Sequence, residues 1–142
     1  MTAMSELPHK SELDRCRRCD LGARATQGGP GEGPRDAPLM LVGEQPGDVE
    51  DLEGRPFVGP SGQLLRQLLA EAGVDAQDAF ITNAVKHFSF ELRGKRRMHR
   101  TPAQREIAAC HALLESEIAA VRPRVIVALG ANARRALVGR AM

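Results

Sequence analysis

Leu39-Met40-Leu41-Val42-Gly43-Glu44-Gln45-Pro46-Gly47-Asp48 is the stretch from which the fold can be read. Its first four residues are a short apolar run ending at a glycine, which predicts a buried strand. Gly43 to Gly59 then reads as a long loop. Downstream, Ser61 can cap a helix carrying Leu64, Leu65, Leu68 and Leu69 on one face and stopping at Gly73. Ala79-Phe80-Ile81-Thr82 predicts a second strand, leading into Asn83. Phe88 to Arg100 reads as a charged loop. Thr101-Pro102-Ala103-Gln104 is a helix start, with Thr at the N-cap, Pro at the first position and Gln at the third. That helix carries Ile107, Cys110, Leu113, Leu114 and Ile118 and stops before Pro123. Val125 to Leu129 is a third strand, followed by Gly130 and a last helix from Asn132 to Val138. Upstream, Gln27 to Pro38 is a loop rich in Gly and Pro, and Leu13 to Leu21 carries Cys16-Arg17-Arg18-Cys19. This alternation of strand and helix predicts an α/β fold with a mostly parallel sheet and right-handed crossovers. The loops opening at Gly43, Asn83 and Gly130 would then share the edge where such sheets bind ligands.

With 142 residues the chain suits a single domain, residues 1–142, large enough to fold without disulfides. Lys and Arg number 20 against 18 Asp and Glu, a net charge of +2, so contact with nucleic acid has to come from local clustering. The polar start, Met1 to Asp14, does not read as a signal peptide. No apolar run approaches the ~18 residues of a membrane span. The expectation is a cytoplasmic protein with reduced thiols and no membrane partner.

Three cysteines in such a chain are more readily ligands than disulfide partners. Cys16 and Cys19 form a CxxC pair whose thiolates can share one metal. A redox pair is the other reading, but such pairs follow a strand, and none precedes Cys16. Cys110 falls mid-helix among apolar neighbours, where a thiol on its own is a small buried hydrophobe. A fourth ligand would come from His9, His87, His99 or His111, and His87 falls just past the second strand. Cys₃His can hold zinc or an iron–sulfur cluster. A second cluster is basic: Arg93, Lys95, Arg96, Arg97 and Arg100 surround His99 with no acid among them. Such a loop either lies solvated or grips a phosphate backbone by counterion release. Its place at the ligand-binding edge favours the second.

Together, Gly43-Glu44-Gln45-Pro46-Gly47-Asp48, Gly54-Arg55-Pro56-Phe57-Val58-Gly59 and Thr82-Asn83-Ala84-Val85-Lys86 resemble the uracil-DNA glycosylase superfamily, in its iron–sulfur branch called family 4. Gln45 stands where family 4 has Gly, and His87 where it has Cys. Lys95-Arg96-Arg97-Met98-His99 is an inserted loop. These departures resemble the UdgX group, which binds uracil-DNA covalently. The resemblance covers the chain from Cys16 onward. It implies a three-layer αβα fold and a [4Fe–4S] cluster on Cys16, Cys19, His87 and Cys110, with zinc as the alternative. It also implies uracil-containing DNA, single-stranded by expectation, as the partner.

The resemblance assigns further roles. A base must leave the stack to be cut from its sugar. Phe57 would stack on the flipped uracil, and Asn83 would read its edge, an amide offering both donor and acceptor. Neutral imidazole is the main form of histidine at pH 7 and is nucleophilic. His99 would attack the sugar carbon and leave a protein–DNA adduct. Glu44 would orient His99 or position water, and Gln45 and Asp48 would lie near the uracil and the nucleophile. Lys95, Arg96 and Arg97 would meet DNA, with Arg97 also able to fix the loop. A further His-Pro-Ser motif, expected after a fourth strand, does not occur before Met142. The expectation is therefore the N-terminal two-thirds or so of such a domain, with strand Val125–Leu129 left at an open edge. Hydrolytic excision and non-catalytic uracil or single-strand binding are the alternative functions.

Overall fold

The structure is a computed structural model that describes residues 7–138. The ends of the expected domain, 1–6 and 139–142, lie outside the described residues. Three parallel strands form the sheet: β1 (Leu39–Gly43), β2 (Ala79–Asn83) and β5 (Val125–Ala128), in the order β2-β1-β5. Register pairs Gly43 with Asn83 and Val42 with both Thr82 and Ala128, so the three strands end level.

Alternation along each strand divides the core in two. Met40, Val42 and Phe80 face the long helix α5 (Gln104–Val121), through Ile107, Cys110 and Leu114, and α6 (Ala131–Val138), through Ala133 and Ala136. Leu41, Ala79 and Ile81 face the opposite way, toward Leu65 and Leu69 of α4 (Pro60–Glu71). Helices on both faces of a parallel sheet make the α/β architecture that the alternation predicted. The outer edge of β2 is partly closed by Glu32, whose backbone exchanges hydrogen bonds with Ile81. Among the described residues β5 pairs on one side only, and its Val125 and Val127 are exposed.

Four local expectations are corrected. The charged loop Phe88–Arg100 contains an antiparallel hairpin, β3 (Phe90–Arg93) and β4 (Arg96–His99). Gly94-Lys95 forms its two-residue turn, with Gly94 at φ 63°, a conformation that L side chains avoid. Charge on the exposed positions hid the strands, while buried Phe88 and Phe90 anchor them. The long loop after β1 contains a short helix, α3 (Asp48–Glu53), whose Glu50 carboxylate accepts from the Gly47 amide. Helix α4 is capped by Gly59, with Pro60 first, so Ser61 lies within it. Helix α5 starts two residues later than predicted, with Ala103 as N-cap. The side chain that accepts from the cap amide is Glu106, not Gln104, and Arg100 pins it there.

Candidate functional site

The level ends of β1 and β2 bring Gly43, Glu44, Gln45 and Asn83 together. The ladder continues past the strands, because the amides of Ala84 and Val85 donate to the carbonyls of Gly43 and Glu44. A side chain at Gly43 would collide with the Phe57 ring and the Asn83 amide oxygen, so ring and amide meet over a bare backbone. Phe57 holds φ at 52°, an uncommon state for an aromatic residue that marks sites where geometry outweighs comfort. The Asn83 side-chain oxygen is the one buried side-chain polar atom without a hydrogen-bond partner among the described residues. Glu44, Gln45, Phe57, Asn83 and His99 line a cavity of about 400 Å³, with Leu64, Leu65 and Leu68 of α4 on its apolar side.

His99 ends β4 beside this cavity, half exposed. Its Nε2 lies 2.7 Å from the Gln45 side-chain nitrogen and 3.2 Å from Glu44 Oε1. The Gln45 amide is held at both ends, which settles its orientation: Oε1 accepts from the Ser89 amide at 2.7 Å, and Nε2 donates to the Arg100 carbonyl at 2.9 Å. An N–H therefore faces His99 Nε2, while the Glu44 carboxylate, which only accepts, faces the same nitrogen. Glu44 is held in turn, Oε2 accepting from Asn132 Nδ2 at 2.6 Å.

The hairpin is tied down by Arg97. Its guanidinium donates to Asp48 at 2.7 Å and to buried Asp51 at 2.6 Å, and lies 5.2 Å from the centres of the Phe88 and Phe90 rings. Burial alone would loosen its proton, but the bonds to Asp51 and Asp48 outweigh that and raise its pKa further. Of the three cations expected at DNA, Lys95 and Arg96 are exposed, whereas Arg97 is turned inward and spent on two carboxylates. Asp48 likewise faces Arg97 and is not among the residues lining the cavity.

Behind Asn83 lies a buried ion pair. Lys86 Nζ donates to Glu117 Oε1 at 2.5 Å, to Thr82 Oγ1 at 2.6 Å and to the Asn83 carbonyl at 2.7 Å. Glu117 Oε2 accepts from the Gly31 amide at 3.0 Å. The roles of Glu117, Asp51, Glu50 and Asn132 were missed in the sequence, where charged and amide residues on helices read as solvated. The signal that could have found α3 is Gly47-Asp48-Val49-Glu50, a cap residue with Glu three positions later.

Cys16 and Cys19 are half-buried on the segment between α1 (Lys10–Asp14) and α2 (Leu21–Arg24), and Cys110 is buried in α5. All three thiols are free. Burial pushes the Cys19 thiol up, and pushes Cys110 up to about 11 against an opposing hydrogen bond from the Lys86 amide. The nearby Cys16 and Cys19 add to the rise at Cys110. Burial lowers the His87 pKa, although its contact with Leu13 opposes this. His87 Nε2 lies 2.7 Å from the Leu13 carbonyl, so it carries the proton there and Nδ1 keeps a lone pair. Soft thiols and a neutral imidazole tethered through its second nitrogen fit a metal centre in donor chemistry. Among the described residues, however, no three His, Cys, Asp or Glu side chains gather closely enough to hold one ion.

Comparison with known proteins places the chain. The model of the "Uracil DNA glycosylase superfamily" matches residues 30–142, and the chain belongs to that family. It is similar to the Type-4 uracil-DNA glycosylase of Sulfurisphaera tokodaii, 40% identical over 89% of this chain and 54% of that protein. The Type-4 uracil-DNA glycosylase of Thermotoga maritima is 43% identical over 85% of this chain and 59% of its own length. That of Pyrobaculum aerophilum is 41% identical over 88% and 60%. The chain thus spans a little over half the length of these curated relatives. No helix among the described residues is long and apolar enough to cross a membrane.

Proposed function

We propose that this chain recognises uracil flipped from single-stranded DNA and captures the sugar on His99 as the glycosidic bond breaks. The observation that carries this is the His99–Gln45–Glu44 cluster on the wall of the cavity that Phe57 and Asn83 also line. The Asn83 amide supplies selectivity. A buried polar atom without a partner costs about 1–3 kcal/mol, which the N3–H of uracil would recover. Cytosine, unprotonated at that nitrogen, offers no such donor. Phe57 gives the base a stacking face, and exposed Lys95 and Arg96 hold the phosphates. Asp48 and Arg97 keep the hairpin in place.

In the capture step a lone pair of neutral His99 forms a bond to the sugar carbon. The carbon–N1 bond breaks, and its electron pair leaves on uracil, which then takes a proton from water. The alkylated ring is cationic until it loses its remaining N–H proton, and the Glu44 carboxylate 3.2 Å away stabilises that charge and the developing charge on the sugar.

Cys16, Cys19, Cys110 and His87 would hold a [4Fe–4S] cluster. Thiolates and an imidazole can hold either a cluster or zinc, and the resemblance to the iron–sulfur branch favours the cluster. Bound, it would supply a structural clamp joining the N-terminal segment to α5. We read the protein as cytoplasmic.

The test is denaturing electrophoresis after incubation with a uracil-containing single-stranded oligonucleotide. A slow-migrating adduct is expected from the full chain and none from His99→Ala; an adduct that persists in His99→Ala overturns the assignment. The relatives' names favour hydrolytic excision as a second reading, and free uracil released with turnover and no adduct would establish it. Salt-sensitive binding with neither product would leave a binding module. Iron and sulfide analysis, with absorption near ~400 nm, decides between cluster and zinc.

A further inference from the structure

Asn132 lies in the first turn of α6, far in sequence from the β1 loop, yet its side chain closes the cluster around His99. Its Nδ2 donates to Glu44 Oε2 at 2.6 Å, and its Oδ1 accepts from Arg135 at 3.4 Å. A carboxylate only accepts and a guanidinium only donates, so these two neighbours settle the orientation of the amide. The chain of contacts runs Arg135, Asn132, Glu44, His99, Gln45.

We infer that Asn132 is a positioning residue that fixes the Glu44 carboxylate by one oxygen so that the other faces the His99 ring. This rests on the reading of His99 and Glu44 given above. Glu44 is a flexible side chain, partly exposed at the cavity, and would otherwise sample several rotamers. A tether at Oε2 leaves Oε1 at 3.2 Å from His99 Nε2. The chemistry of the tether matters as much as its place. A lysine or arginine there would hold the carboxylate but offset its charge. An amide holds it while leaving the full negative charge facing the ring, where positive charge develops on capture. Arg135 stays one residue removed, polarising the amide from its far side. The start of α6 thereby contributes to a site whose other groups come from the loop after β1, the end of β2 and the hairpin.

The experiment compares the full chain with Asn132→Ala, Glu44→Gln and the double variant. Adduct formation is timed at saturating uracil oligonucleotide, affinity is measured separately, and His99 ring-nitrogen NMR is recorded without DNA. Asn132→Ala is expected to slow capture about 10-fold, the order expected when a reacting group loses its placement. Affinity should stay within about twofold, and the urea midpoint should hold, since alanine suits a helix. The His99 ring-nitrogen signals should move. In the Glu44→Gln background the same substitution should change neither rate nor signals, because the group it positions is no longer a carboxylate. A purely structural role for Asn132 would give equal losses in both backgrounds, and that result overturns the inference. Unchanged His99 signals in Asn132→Ala also overturn it. If the unaltered chain forms no adduct, the capture reading fails, and the NMR comparison alone decides on Asn132.

Discussion

Lys86→Met removes an ammonium group with no exposure to solvent and three acceptors within 2.7 Å. Its counter-ion Glu117 would keep the Thr82 hydroxyl at 2.7 Å and the Gly31 amide at 3.0 Å, but would lose the one cation that, among the described residues, lies within hydrogen-bonding reach. A carboxylate 1% exposed cannot recruit water in exchange. Breaking one partner of a buried pair costs about 3–5 kcal/mol. Domains of this kind are stable by about 5–15 kcal/mol, so the loss would consume a large fraction. With a urea slope of about 2 kcal/mol per molar, the midpoint should fall by about 2 M. Far-UV circular dichroism is the probe, since the chain has no Trp or Tyr. Glu117→Gln should cost about as much alone by stranding Lys86. The double variant removes both charges while its amide oxygen still accepts from Gly31, so it should cost clearly less than the two single losses added. Additivity within about 0.5 kcal/mol, or a single loss below about 1 kcal/mol, would refute the assignment of this pair as a coupled buried unit.

Other outcomes follow from the site. Glu44→Gln removes a charge 3.2 Å from His99 Nε2, worth to a positive ring between about 1 kcal/mol in water and about 5 kcal/mol in a protein surface environment. Adduct formation should slow about 10-fold or more in a quenched time course, and an unchanged rate would remove Glu44 from the reaction. Gly43→Ala places a methyl group against the Phe57 ring and the Asn83 amide, so affinity for uracil oligonucleotide should drop while a cytosine control stays equally weak. Lys95→Ala and Arg96→Ala should each reduce the salt slope of DNA binding by about 1. Arg97→Ala should instead speed amide exchange through residues 90–99, because it frees the hairpin from Asp48 and Asp51; a lowered salt slope without faster exchange would place Arg97 at the phosphates. Cys110→Ser should lower bound iron in the purified protein, and full iron content would show that α5 contributes no ligand.

The alternation of strands and helices was legible because burial on both faces demands continuous apolar runs, and Leu39–Val42, Ala79–Thr82 and Val125–Leu129 are such runs. Placing Gly43 and Asn83 at one edge followed from parallel topology alone. The family was legible too, since its short motifs occur in order along the chain. Contacts set by distant charged groups were not. A carboxylate such as Asp51 or Glu117 has the same composition whether it faces water or a buried cation, and only packing decides which. The hairpin stayed hidden because its outer positions are charged and its anchors, Phe88 and Phe90, lie before and at its start. The basic segment from Arg93 to Arg100 shows most plainly where the division falls. Its sequence established the density of positive charge. The tertiary structure divided those charges between Arg97 and Arg100, bound inward to acids, and Lys95 and Arg96, left outward, because electrostatic partners are chosen by proximity in space.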